Sequence, residues 1–227
     1  MRSSGTEPSG QGLSLPKKRE QVNAYCRVFI QAAMYEHLAT LFGGPPNNCH
    51  LRLYSEWAKH EWGIVLTGNV QVAHDHLTLG RDIVLPRSLS LPKDEDLEPF
   101  RRLADIIHGV GCKTQFKPEG RSTLAILQLS HAGRQSANIL GGRRVLQRPM
   151  APSSVRMGSS PARKASLVER LMNTILFQKP KEMSEEDIIH VLDRFVYGSV
   201  FAHKAGFDGV QLHVAHGCRS LYFFPFK

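Results

Sequence analysis

Four short apolar runs in this sequence each lead into small and polar residues of types that can do chemistry. Val28-Phe29-Ile30 leads into Ala32-Ala33-Met34-Tyr35-Glu36-His37, and Ile64 to Thr67 leads into Gly68-Asn69-Val70-Gln71. Leu124 to Leu129 carries Gln128 and leads into Ser130-His131-Ala132-Gly133-Arg134, and Gly209 to Leu212 leads into His213-Val214-Ala215-His216-Gly217. An amide both donates and accepts hydrogen bonds, and an imidazole can donate to an oxygen that gains negative charge. Carboxylates are scarce at these run ends, which disfavours paired-carboxylate hydrolysis. Ala-Ala-Met-Tyr is no glycine-rich phosphate loop, which disfavours a dinucleotide fold after the first run. His131, His213 and His216 are candidate zinc ligands, but no carboxylate or cysteine completes the set.

Such residues need elements that place them side by side. Leu51, Tyr54, Trp57 and Ala58 fall at helical spacing, with Asn47 or Asn48 as cap and Gly63 as the expected stop. Asp94-Glu95-Asp96 opens a second helix that Gly109 and Gly111 end, and acidic residues there suit the helix dipole. Ser184 to Asp187 forms a variant capping box before a third, long amphipathic helix that Gly206 ends. Residues 132–182, rich in Gly, Ser, Pro and Arg, read as one long loop of the kind that often serves function. The order strand, helix, strand, helix, strand, helix, strand, with apolar rather than alternating strands, predicts a parallel sheet covered by helices. A doubly wound sheet and a (β/α)8 barrel both fit, and both hold ligands at the carboxyl ends of the strands.

The chain has 227 residues, 41% of them apolar, which is enough for a core. Its net charge of +9 is scattered, with Lys17-Lys18-Arg19 and Arg143-Arg144 the densest clusters, so neither nucleic acid nor membrane is the expected partner. Cys26, Cys49, Cys112 and Cys218 form no C-x-x-C pair and are read as reduced thiols. No apolar run approaches the roughly 18 residues of a membrane helix, and the N-terminus lacks a signal core, so the expected location is cytoplasmic.

The segments AAM, TGNVQV, HAGRQS and GFDGVQLHVAHG, in this order and each at a strand end, resemble the Old Yellow Enzyme family. The resemblance implies an FMN-dependent NADH:flavin oxidoreductase and ene-reductase on a (β/α)8 TIM barrel, with the fungal branch nearest. It implies that Ala32, Ala33 and Met34 lie against the flavin ring, with Asn69 beside it and Gln128 on its pyrimidine edge. It implies that His213 and His216 bind the carbonyl oxygen of the substrate, and that His37 lies near the substrate. NADH or NADPH is then the reductant, and a small α,β-unsaturated carbonyl compound the substrate.

The chain departs from that family in three places. Ala24-Tyr25-Cys26-Arg27 replaces the usual Pro-Asn-Arg before the first strand, and Cys218 stands where the family has its proton-donating Tyr. Only the first four β/α units are expected: an arm over 1–20, the N-terminal part of an FMN-binding barrel over 21–217, and a divergent tail over 218–227. These departures lead to the expectation of a truncated product. The alternatives are an inactive half-barrel that does not retain FMN or that pairs through open sheet edges, and a metal-dependent barrel hydrolase.

Overall fold

The structure, a computed structural model, describes residues 29–60, 62–110, 123–144, 147–157 and 166–214. The expected arm over 1–20, Cys26, Val28, Cys112, His216 and the tail from Cys218 onward lie outside the described residues.

The described chain runs β1 (Phe29–Gln31), α1 (Asn48–Ala58), β2 (Trp62–Gln71), β3 (Ile83–Val84), α2 (Asp94–His108), β4 (Leu124–Ser130), β5 (Met150–Ala151), α3 (Leu167–Leu176), β6 (Lys181–Glu182), α4 (Glu185–Lys204) and β7 (Gly209–Leu212). The main sheet is ordered β1-β2-β4-β7, with β3 beside β2, and every pairing is parallel. That is the alternation of apolar strands and covering helices expected from the sequence.

The helix ends follow local chemistry. Asn47 caps α1: its side chain accepts from the Cys49 and His50 amides, and His50 Nδ1 accepts the Asn47 N–H at 3.2 Å. An imidazole here does the work that Glu or Gln does in the usual capping box. The helix stops at Ala58 rather than at Gly63, because Trp62 already pairs with Phe29 in the sheet ladder and Gly63 lies buried inside β2. Gly109 closes α2 in the left-handed region at φ +79°, where a side chain would be strained. Ser184 and Asp187 complete the expected capping box of α4.

The core lies between the sheet and these helices. Val65, Val70, Ala125, Leu127 and Leu129 pack with Tyr54 of α1, Phe100 and Leu103 of α2, and Phe195 and Phe201 of α4. Phe100 meets Phe201 edge to face at 4.9 Å. Burying each such side chain contributes about 1.5–3 kcal/mol. Arg194 of α4 is buried too, and its guanidinium donates to the carbonyls of Val72, Pro86 and Arg87. It thereby staples α4 to the strand ends on the side where β2 finishes.

The stretch read as a loop over 132–182 contains regular elements among its described residues. It holds a short 3-10 turn at Gly133–Gln135, α3, and the small parallel pair β5-β6. Buried Arg143 gathers it by donating to the carbonyls of Asp75, Ser136 and Ala137. No helix among the described residues is long and apolar enough to cross a membrane.

Candidate active site

A β-bulge builds the site. Ile64, Val65 and Leu66 of β2 pair with Leu124, Ala125 and Ile126 of β4, and pairing resumes as Asn69 with Gln128. Thr67 and Gly68 therefore face only Leu127, one extra residue on β2. The Thr67 hydroxyl repairs the ladder by accepting the Gln128 N–H at 3.0 Å. Bulges re-aim side chains beside functional sites, and this one sets Asn69 level with Gln128.

The next register pair is Gln128 with Gln211 of β7. Gln128 Nε2 donates to Gln211 Oε1 at 2.8 Å. Asn69, Gln128 and Gln211 thus form a row of amides across three adjacent strands. The bond to Gln211 fixes the rotamer of Gln128, which is only 6% exposed. Just past β7, the His213 N–H donates to the Leu129 carbonyl at 2.8 Å, continuing the ladder and holding its imidazole at the strand end.

A cavity of about 320 Å³ opens here, lined by Ala33, Met34, Tyr35, Asn69, Thr78, Gln128, Gln135 and His213. That volume lies within the range of small-ligand pockets. Among the described residues the lining holds amides, one imidazole, hydroxyls and small or flexible apolar side chains, and no Asp, Glu, Lys or Arg. It is suited to a flat, uncharged, polar-edged ring rather than to a phosphate.

Two buried hydrogen-bond clusters pin the wall that follows β1. The Tyr35 hydroxyl donates to Asp82, which also accepts from Gln71 Nε2 and the Thr78 N–H, both at 3.1 Å. Asp82 is 1% exposed. Burial, with the Asp82 charge beside it, pushes the Tyr35 phenol far above its ordinary range, so it stays neutral. Glu36 accepts from the Tyr54 hydroxyl and, at 3.0 Å, from the Gly68 N–H. Burial raises the Glu36 carboxyl above its ordinary value.

Of the residues singled out from the sequence, Ala33, Met34, Asn69, Gln128 and His213 come together around the cavity. Ala32 and His37 flank it without lining it. His37 has φ +53° and its ring lies 3.9 Å from that of Tyr35. His216 lies outside the described residues. His131 is buried against His76, ring centroids 4.5 Å apart, and its Nδ1 accepts the Gly133 N–H. Among the described residues no group of three or more His, Cys, Asp or Glu is placed to hold a metal ion.

Sequence reasoning missed Tyr35, Thr78, Gln135 and Gln211. Tyr35 and Gln211 each sit within a segment already marked as a strand end. Gln135 lies within the segment HAGRQS after the third run, whereas Thr78 carries no local signal, since only the chain's path returns it to the cavity.

The sequence profile of the NADH:flavin oxidoreductase / NADH oxidase family matches residues 26–224. An NADH-dependent flavin oxidoreductase of Neonectria sp. (strain DH2) is 34% identical over 213 residues, which cover 91% of this chain and 23% of that protein. One from Hypocrea jecorina (strain QM6a) is 28% identical, covering 91% of this chain and 44% of that protein. The Old Yellow Enzyme homologue from Zymomonas mobilis superposes with a TM-score of 0.60 at 20% identity, covering 84% of this chain and 45% of its own. The chain thus spans less than half the length of each of these proteins. The structural likeness settles the choice between the two parallel-sheet architectures: the sheet is part of a (β/α) barrel, not a doubly wound sheet. The matched stretch runs from before β1 to beyond β7 and so takes in the strand ends that surround the cavity: the chain belongs to the NADH:flavin oxidoreductase / NADH oxidase family.

Proposed function

We propose that this chain holds the flavin ring of FMN in the cavity at the strand ends and reduces the alkene of a small α,β-unsaturated carbonyl compound with NADH or NADPH. The observation that carries the reading is the register match of Asn69 with Gln128 beside His213, in a cavity that the described residues line with amides, hydroxyls and an imidazole. The fit is to the ring. The amides of Gln128 and Asn69 supply donors and acceptors for a pyrimidine edge, and Ala33 and Met34 supply a small apolar wall.

Bound FMN would accept hydride from the nicotinamide and return it to an electrophilic carbon. The protein's own part is orientation and charge. Gln128, held by Gln211, fixes the plane of the ring. His213, with His216 as its expected partner, donates to the carbonyl oxygen where negative charge grows, which favours the transition state over the ground state. Tyr35 stays protonated against Asp82 and narrows the cavity beside Met34. The expected place of action is the cytoplasm, on a small molecule.

The test is anaerobic. The chain is loaded with FMN, freed of excess, and reduced with NADH or NADPH until the visible flavin band bleaches. Return of the band on adding cyclohexenone supports the reading; no bleaching by either nucleotide contradicts it.

A second reading has its own observation. The outer strands carry exposed apolar side chains: Phe29 (77% exposed) and Ile30 on β1, Val210 and Leu212 on β7. On this reading the chain pairs with another β/α half through these edges and retains no FMN alone. Sedimentation of the purified chain separates the two: a flavin-free oligomer favours the second, a yellow monomer the first.

A further inference from the structure

We infer that Glu36 is a positioning residue for the flavin ring: its carboxyl sets the separation between Met34 and Asn69 across the cavity. This rests on the reading that the cavity holds a flavin. The geometry around Glu36 is independent of that reading.

Glu36 comes two residues after Met34 and reaches across to the bulge of β2. Its Oε1 accepts both the Gly68 N–H, at 3.0 Å, and the Tyr54 hydroxyl of α1. The same Gly68 N–H also reaches the Tyr54 oxygen at 2.9 Å, so three groups share one knot. Gly68 is the bulged residue, and Asn69 follows it directly. A Cβ at Gly68 would lie 1.9 Å from Glu36 Oε2 and 2.3 Å from the Met34 carbonyl oxygen. The segment carrying Met34 is thus pressed onto the backbone that carries Asn69, with the Glu36 carboxyl as the spacer.

The third member is rigid. Tyr54 is 1% exposed and its ring meets Trp57 edge to face at 4.9 Å. The start of α1 is tied to the same segment, since Asn47 Nδ2 donates to the Leu38 carbonyl at 2.7 Å. Both ends of the spacer are therefore fixed. Glu36 accepts two buried donors and stands behind the residues that line the cavity, so it acts through the walls it holds apart.

Glu36→Ala, Glu36→Gln and Tyr54→Phe test this by two readouts: FMN affinity from flavin fluorescence quenching, with the visible flavin spectrum, and amide exchange of Gly68 in the protein without flavin. Glu36→Ala, folded by circular dichroism, should weaken FMN about tenfold and speed Gly68 exchange. Glu36→Gln keeps an acceptor oxygen of the same reach and should recover most of the affinity. Tyr54→Phe keeps the buried ring and should shift both readouts in the same direction as Glu36→Ala, by a smaller factor. Parental FMN affinity and flavin spectrum in folded Glu36→Ala overturn the inference. Should that variant not fold, parental values in Tyr54→Phe overturn it instead. Equal loss in Glu36→Ala and Glu36→Gln also overturns it, since size and one acceptor then do not suffice. A parent chain that binds no FMN defeats the flavin reading itself; Gly68 exchange then still decides whether the spacer exists.

Discussion

The Thr67 hydroxyl accepts the backbone N–H of Gln128 at 3.0 Å, across a break in the pairing of β2 with β4. One side-chain oxygen thereby replaces a lost ladder bond at the point where β2 carries an extra residue. The consequence reaches the cavity, because the bulge turns the Gly68 N–H toward Glu36 and puts Asn69 level with Gln128.

Gly68 has no room for a side chain. A methyl group there would meet the Met34 carbonyl at 2.3 Å, and backbone cannot yield cheaply. Gly68→Ala should cost about 1–3 kcal/mol, the usual scale of overpacking, and weaken FMN binding with it. Urea denaturation checks the first part and flavin fluorescence the second. A variant equal to the parent in both would show that the two segments are not in contact.

The Tyr35–Asp82 contact should matter for stability. Tyr35→Phe removes one of the donors on a carboxylate that is 1% exposed. The expected loss is about 1–3 kcal/mol, the penalty for a buried acceptor left short of a partner. The urea midpoint measures it, and an unchanged midpoint would contradict the contact.

Glu36 and His50 move stability in opposite directions with pH. Burial raises the Glu36 carboxyl above its ordinary 4.5, so the folded chain holds that proton more tightly than the unfolded one. Its contribution is full below that ordinary value and is lost as pH rises through the raised one. Glu36→Gln should therefore gain stability relative to the parent as pH climbs toward neutrality. Burial pushes His50 down from 6.5 to about 4. Its contribution is full above the ordinary value and is lost as pH falls toward 4. His50→Gln keeps an acceptor at the same capping position and should flatten that acid-side loss. Urea titrations across this range check both, and unchanged pH slopes would contradict the assigned burial.

His213→Ala should leave FMN binding near the parent's while slowing enone reduction about 10²–10³-fold, the scale seen when one oxyanion donor is removed. Stopped-flow reoxidation of the reduced flavin by cyclohexenone measures it. A fall in FMN affinity with an unchanged reoxidation rate would assign His213 to the flavin instead.

Much of this site was legible in the sequence, for a physical reason. Strands of a helix-covered parallel sheet are apolar along most of their length, so polar residues gather toward their ends, and the ends of β1, β2, β4 and β7 stood out. Asn69, Gln128 and His213 were visible in this way, and Ala33 and Met34 through the family resemblance. The bulge at Thr67 and Gly68 was not legible, because a register shift leaves no trace in composition. Gly63 read as a helix stop, yet the pairing of Trp62 with Phe29 draws it into β2. Asp82 meets Tyr35 across 47 residues, and Glu36 meets Tyr54 across 18, so no local pattern announces either pair. The helix α3 went unseen inside a segment rich in Gly, Ser and Pro, although Leu171, Met172 and Ile175 share a helical spacing; they are exposed.

The most direct test is a titration of the purified chain with FMN, followed by flavin fluorescence and repeated with Gln128→Ala. Saturable binding by the parent is expected, with an affinity about tenfold lower in the variant, the loss that follows when a buried hydrogen bond to the ring is removed. No saturable binding by the parent, or equal binding by parent and variant, would contradict the assignment of the flavin ring to the amide row of Asn69, Gln128 and Gln211.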